Sequence, residues 1–130
     1  PTIVTWHRPT FSRGYHGDQT DTSSLWNLVS ADKDVKLVLW GHDHNYEQVE
    51  RTVQTGTATE HKVNTIVVGT GGADLRKCST PNIPGELICG KKNNFGVLQL
   101  KLDANGYSWS YRNANGKKLG RQLDSGSVAF

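Results

Sequence analysis

Gly41-His42-Asp43-His44 sets two imidazoles one residue apart, directly after the apolar run Val35-Lys36-Leu37-Val38-Leu39-Trp40. Neutral imidazole is the commonest protein ligand for metals. An H-x-H pair on the turn that leaves a buried strand can hold one metal or divide between two, because alternate side chains diverge. Gly41 lets the backbone turn where a side chain would block the ion. Asp43 reads as a residue that fixes the loop or orients an imidazole rather than as a direct ligand. Upstream, residues 2–6 form a second apolar run that ends at His7, and Pro9 stops it by forcing Arg8 into an extended conformation. His7, His42 and His44 are therefore the candidate metal ligands. His16 lies in the glycine-flanked loop Ser12-Arg13-Gly14-Tyr15-His16-Gly17-Asp18. It is the candidate catalytic and substrate-binding residue, able to donate to a phosphate oxygen or to protonate a leaving alkoxide. A solvated loop histidine is the competing reading there, and for His61, in the polar run 57–62, it is the better one.

These side chains meet only if their strands are neighbours. Residues 2–6 and 35–40 read as strands, the second buried on both faces apart from Lys36. Between them residues 22–31 offer a helix capped by Asp21 or Thr22, with Leu25, Leu28 and Val29 as its apolar stripe. A right-handed β-α-β crossover brings both strand ends to one carboxyl edge, where open α/β sheets place their ligands. The remainder reads as β structure. Strands are expected at residues 45–53, at 64–68 leading into Gly69-Thr70-Gly71-Gly72, at 95–102 with Leu98, Leu100 and Leu102 on one face, and at 107–112 with Tyr107, Trp109 and Tyr111 alternating. The turns Asp103-Ala104-Asn105-Gly106 and Asn115-Gly116 mark hairpins, the second followed by a short strand at 117–120. Residues 77–94 are the expected long loop.

Composition suits one globular domain: 130 residues, 35% hydrophobic and 21% charged. No apolar stretch approaches the roughly 18 residues that a membrane-spanning helix needs. The formal charge of +3 is spread along the chain, which is compatible with an anionic substrate and does not indicate nucleic-acid binding. The chain begins with Pro1 and contains no methionine, so it reads as a processed product or a fragment. Cys78 and Cys89 flank a segment containing Pro81, Pro84 and Gly85. A disulfide between them would staple that loop and imply a secreted or extracytoplasmic location. Two unrelated thiols are the alternative. Gly17-Asp18-Gln19-Thr20-Asp21 spells G-D-x-x-D, a possible metal signature, but it follows no hydrophobic strand. Gly69-Thr70-Gly71-Gly72 lacks the Lys-Ser/Thr of a P-loop and reads as tight-turn glycines that border the site.

Together, Trp6-His7-Arg8-Pro9, Tyr15-His16-Gly17, Gly41-His42-Asp43-His44-Asn45-Tyr46-Glu47, Val67-Val68-Gly69-Thr70-Gly71-Gly72, Asn94-Phe95-Gly96-Val97-Leu98 and Asp124-Ser125-Gly126-Ser127 resemble the C-terminal half of a calcineurin-like metallophosphoesterase, closest to the secreted purple-acid-phosphatase-like branch. The resemblance implies an α/β fold, the C-terminal portion of a four-layer α-β-β-α sandwich, β-rich after its first β-α-β unit. Residues 1–130 would be the C-terminal part of one such domain. It also implies a phosphatase or phosphodiesterase with two metal ions (zinc, iron or manganese) and a bridging hydroxide that attacks phosphorus in line. His7 and His42 match ligands of the second metal, His44 a ligand of the first, and His16 the substrate-facing histidine. The family's upstream D-x-H, its G-D-x-x-D after a strand and its G-N-[HD] do not occur here in the right order. The implied partners are therefore a phosphate ester and an N-terminal segment of the same enzyme, whose absence would leave the chain nearly inactive with an open sheet edge and an exposed hydrophobic face. Two other readings compete: a secreted binding module using Tyr107, Trp109 and Tyr111, and a structural zinc site without turnover.

Overall fold

The computed structural model describes residues 1–55, 59–79, 83–90, 94–115 and 118–130. The expected β-α-β unit is present. β1 (Thr2–Thr5) leads through a long loop and a 3-10 turn (Thr20–Thr22) into α1 (Ser23–Ser30), then into β2 (Val35–Trp40). β1 and β2 are parallel, with Thr5 opposite Leu39. β3 (Tyr46–Thr55) and β4 (Thr59–Val68) form an antiparallel pair, and β4 runs parallel to β2. With β5 (Glu86–Cys89) they make a five-stranded sheet in the order β1-β2-β4-β3-β5. β6 (Gly96–Asp103), β7 (Gly106–Asn115) and β8 (Lys118–Ala129) form a separate antiparallel sheet. The chain is thus β-rich, with two sheets and one short α-helix among the described residues.

Alternation along β2 and β4 explains the layering. Val38 and Trp40 of β2, with Val63 and Val67 of β4, face α1 and pack with Trp26. Leu37 and Ile66 point the other way and pack with Tyr107, Trp109 and Tyr111 of β7. Strands buried on both faces must be apolar on both, which is why residues 35–40 read as a continuous hydrophobic run. The aromatic stripe on β7 is inter-sheet core, so the surface needed by a binding module built on it does not exist.

Several expectations change. The buried face of α1 is Trp26 and Ser30, with Val29 partly buried, whereas Leu25 and Leu28 are exposed. Trp26 wins because its ring meets both Phe11 (5.3 Å) and Trp40 (6.0 Å), burying more apolar area than a leucine offers. Thr22 occupies the N-cap position without a side-chain capping bond; its hydroxyl donates to the Gln19 carbonyl instead. Residues 77–94 are not all loop, because β5 lies within them and pairs with β3. The strand after Asn115 runs to Ala129 rather than stopping at Gly120. Leu98 and Leu100 join the inter-sheet core, but Leu102 is exposed. His61 sits within β4 opposite Val53, not in a loop, and both its ring nitrogens are shielded from solvent. Pro81, Gly116 and part of the run 57–62 lie outside the described residues.

Candidate functional site

Three parallel strands, β1, β2 and β4, end at the same edge of the large sheet. Their ladder extends past the strand ends. Trp6 N–H donates to the Leu39 carbonyl (3.3 Å), and Gly41 N–H donates to the His7 carbonyl (3.0 Å). His7 is therefore tied to the Gly41–His44 loop by backbone, before any side chain is considered. Asp43 N–H returns to the Gly41 carbonyl at 2.7 Å, a turn tight enough to place His42 at φ +64°. His42 is the one non-glycine residue with positive φ among the described residues. That conformation costs an L-residue roughly 1–2 kcal/mol and marks functional sites when the surroundings enforce it.

The result is a cluster of rings. His42 Nδ1 and His7 Nε2 are 3.3 Å apart, with ring centroids at 5.2 Å. His16 lies beside His42 at 4.5 Å. His44 lines the same depression, about 350 Å³, together with His7, His16, His42, Gly69 and Gly71. Its Nδ1 is 2.9 Å from the Asp74 carbonyl. A carbonyl only accepts, so Nδ1 carries the proton and Nε2 keeps its lone pair for a ligand. Partial burial pushes His42 below its usual range, and the neighbouring His16 and His7 lower it further. All three effects favour the neutral form in which imidazole binds metals. The four histidines singled out in the sequence thus share one rim, and the glycines of residues 69–72 border it as expected.

Asp43 organises this rim from beneath. It is fully buried, and its Oδ1 accepts the His16 N–H at 2.8 Å, which ties the His16 loop to the Gly41–His44 loop. A Cβ at Gly14 would fall on the Asp43 carboxyl group, and one at Gly69 on its carbonyl; both neighbours must be glycine for Asp43 to fit. Of the two roles expected of Asp43, the bond to the His16 backbone is the loop-fixing one. In the G-D-x-x-D string, Asp18 Oδ1 accepts the Ser12 N–H at 2.9 Å and Asp21 pairs with Arg8 at 2.5 Å. Both shape the long loop, and neither lines the histidine depression.

A second strap crosses the rim. Cys78 and Cys89 are disulfide-bonded, with Cα atoms 6.1 Å apart, as the loop-staple reading expects. The residues flanking Cys78 on both sides hold both site loops. Arg76 N–H donates to the His44 carbonyl (2.8 Å), and Ser79 N–H donates to the Arg13 carbonyl (2.6 Å). Sequence reasoning missed Asp74 and Arg76. Asp74 acts through its carbonyl, which carries no residue-specific signal, and Arg76 is one scattered cation among 15 lysines and arginines.

The donor set is nitrogen-only and incomplete. Among the described residues, no three His, Cys, Asp or Glu side chains are arranged to hold a metal ion by themselves. His7 and His42 present two nitrogens to one point and His44 a third on the same rim, which fits part of a metal centre. It does not fit a closed tetrahedral zinc site, which needs four ligands.

No family model and no curated protein matches this chain. Among solved structures, the fold is similar to that of purple acid phosphatase PPD1 from yellow lupin (Lupinus luteus) seeds, with 22% identity and a TM-score of 0.71 over 98% of this chain and 24% of that one. It is also similar to GAP50, described as the anchor in the inner membrane complex of Plasmodium, with 20% identity and a TM-score of 0.73 over 98% of this chain and 36% of that one. The fold is therefore purple-acid-phosphatase-like, and the chain spans well under half the length of either protein. No helix among the described residues is long and apolar enough to cross a membrane.

Proposed function

We propose that residues 1–130 form the C-terminal part of a single metallophosphoesterase domain and belong to a dinuclear phosphoester hydrolase, acid-phosphatase-like and acting on phosphomonoesters or phosphodiesters. The observation that carries this reading is the meeting of His7 Nε2 and His42 Nδ1 at 3.3 Å on the carboxyl edge, with His16 and His44 on the same rim. His7 and His42 would hold one ion and His44 would contribute to the other. Zinc, iron and manganese all suit nitrogen donors completed by carboxylates. Bound ions would supply Lewis acidity toward a phosphoryl oxygen and neutralise charge there.

This chain's own residues do the rest. The Asp74 carbonyl fixes the tautomer of His44. Asp43 fixes His16, whose exposed ring can donate a proton to a phosphate or leaving-group oxygen. Gly41 lies against the His7 ring, and a Cβ there would reach ordinary contact distance, 3.4 Å from His7 Nδ1. The carboxylates that complete two metal sites would come from an N-terminal segment of the same domain. β1, the free edge strand of the large sheet, offers the backbone on which that segment would continue the sheet toward a four-layer sandwich. The disulfide is consistent with a secreted or extracytoplasmic location.

The test is metal content and nitrophenyl phosphate turnover of the full-length protein. We expect two metal ions per molecule, loss of turnover in His42→Ala, and near-inactivity of the isolated 130-residue segment. A well-folded full-length protein without bound metal or turnover would instead favour a scaffold role, for which the likeness to an anchor protein is a precedent at the level of fold.

A further inference from the structure

The histidine cluster does not end at His16. The Tyr15 ring stands edge-on to His16 at 5.2 Å, and the Arg76 guanidinium lies over the Tyr15 ring, 4.6 Å from its centroid. An unbroken line of side chains therefore runs Arg76, Tyr15, His16, His42, His7. Tyr15 is 66% exposed, so this outer end faces solvent beyond the depression that the histidines line. Burial of apolar surface does not explain such a placement.

Arg76 differs from Arg8 and Arg13, the arginines of the two loops beside it. Arg8 is engaged by Asp21 and Gln19, and Arg13 by Glu86 and the Ser79 carbonyl. The Arg76 side chain has no hydrogen bond and no ion pair among the described residues; its one side-chain partner is the face of Tyr15. Stacking on a ring holds a guanidinium in one orientation while leaving its in-plane N–H groups free. Its mount is also fixed. Arg76 N–H is bonded to the His44 carbonyl, and the residue after Tyr15 is bonded through its N–H to Asp43. A pre-oriented fork without a carboxylate partner is the geometry that recognises a planar or tetrahedral oxyanion.

Resting on the phosphoester reading above, we propose that Arg76, held over Tyr15, is a subsite for a second anionic group on the substrate, a phosphate or carboxylate carried by the leaving group. The line from His16 to Arg76 passes through a full aromatic ring, so this second anion is separated from the reacting phosphorus by several bonds. Adjacent phosphates of a diphosphate are too close together to span it. The preferred substrates are then phosphoesters of acidic or multiply phosphorylated alcohols, and neutral leaving groups are the poorer class.

The experiment compares two non-hydrolysable ligands, phenylphosphonate and 4-carboxyphenylphosphonate, binding to the metal-loaded full-length protein by calorimetry. The carboxylated ligand is expected to bind about tenfold more tightly, the size of one exposed charge-assisted contact. Arg76→Ala should bring the two affinities together, Arg76→Lys should keep part of the difference because a cation remains, and Tyr15→Leu should reduce the difference by releasing the guanidinium. Unchanged melting of the variants would exclude misfolding, and the Lys and Leu variants serve if the Ala variant does not fold. Equal affinities in the wild type, or a ratio untouched by Arg76→Ala, would overturn the subsite alone. Binding of neither phosphonate would overturn the phosphoester reading and the subsite with it.

Discussion

Between the two sheets the polar tips of the aromatic residues have partners; along the histidine rim some polar groups do not. Tyr46 stacks on Tyr111 with centroids 4.0 Å apart and donates to Asp124 Oδ2 at 2.7 Å. Tyr111 donates to the Asn94 carbonyl at 2.6 Å, and Tyr107 to the Lys36 carbonyl at 3.3 Å. Burial, followed by the Asp124 carboxylate, pushes the Tyr46 hydroxyl far above its usual range, so it remains a donor at any ordinary pH. On the rim, Asp43 Oδ2 is buried without a partner among the described residues, and the Arg76 side chain meets only a ring face. The first region is closed by its own side chains. The second is held by backbone and glycine clearances. Most buried polar groups in a folded core are paired, whereas a site built to bind leaves some open.

Four measurements would break or sharpen that contrast. The largest effect belongs to the closed region: Trp109→Ala should destabilise the protein by about 3–5 kcal/mol in denaturant unfolding, because its ring fills the space above Gly126 and its indole N–H reaches Asp124. Next is the strap. Replacing Cys78 and Cys89 together by Ser should cost about 2–4 kcal/mol and increase protease cleavage near residues 77–90; unchanged sensitivity there would deny the strap its role in holding the rim.

His42→Gly separates the two regions most sharply. A glycine accepts φ +64° freely, so the fold should gain about 1 kcal/mol while phosphoester turnover by the full-length protein falls by about 100-fold or more. Loss of stability in that variant would mean that the imidazole holds the loop, rather than the loop holding the imidazole.

The smallest effect is a pH dependence at Glu47, which is buried beneath the rim and accepts the Arg13 N–H at 2.9 Å. Burial raises its carboxyl above the usual 4.5, against the opposing bond from Arg13 and the charges of Arg51 and Arg13. The folded state therefore binds more protons than the unfolded state between 4.5 and that raised value, and stability falls as pH rises through the window. Glu47→Gln should be the more stable protein at neutral pH, with an advantage that shrinks on acidification. An advantage that grows on acidification would reverse the assignment.

How much of this was legible in the sequence varies by element. The runs at β1 and β2 and the histidines that follow them were readable, because strands buried on both faces are apolar throughout and a histidine directly after such a run stands out. β8 was not, since Gly120 and Gly126 break its pattern. In the structure a Cβ at Gly126 would collide with the Trp109 ring, so the glycine answers to a neighbouring strand and not to local propensity. β5 was hidden for a related reason: four residues that pair only with β3 carry no period long enough to detect. Leu25 and Leu28 were assigned to the wrong face of α1 because spacing counts apolar residues but cannot tell that two other aromatic rings wait for Trp26.

The sequence by itself determined which residues could ligate, and that they follow strands that become neighbours only if a helix crosses between them, because residue type and hydrophobic period are local properties. The tertiary structure decided that His7 is zipped to Gly41, that Asp43 ties His16 to the same loop, that Asp74 sets the tautomer of His44, and that Arg76 reaches Tyr15. Each of those is a contact between segments distant in the chain, made by backbone atoms or ring faces whose partners no local pattern encodes.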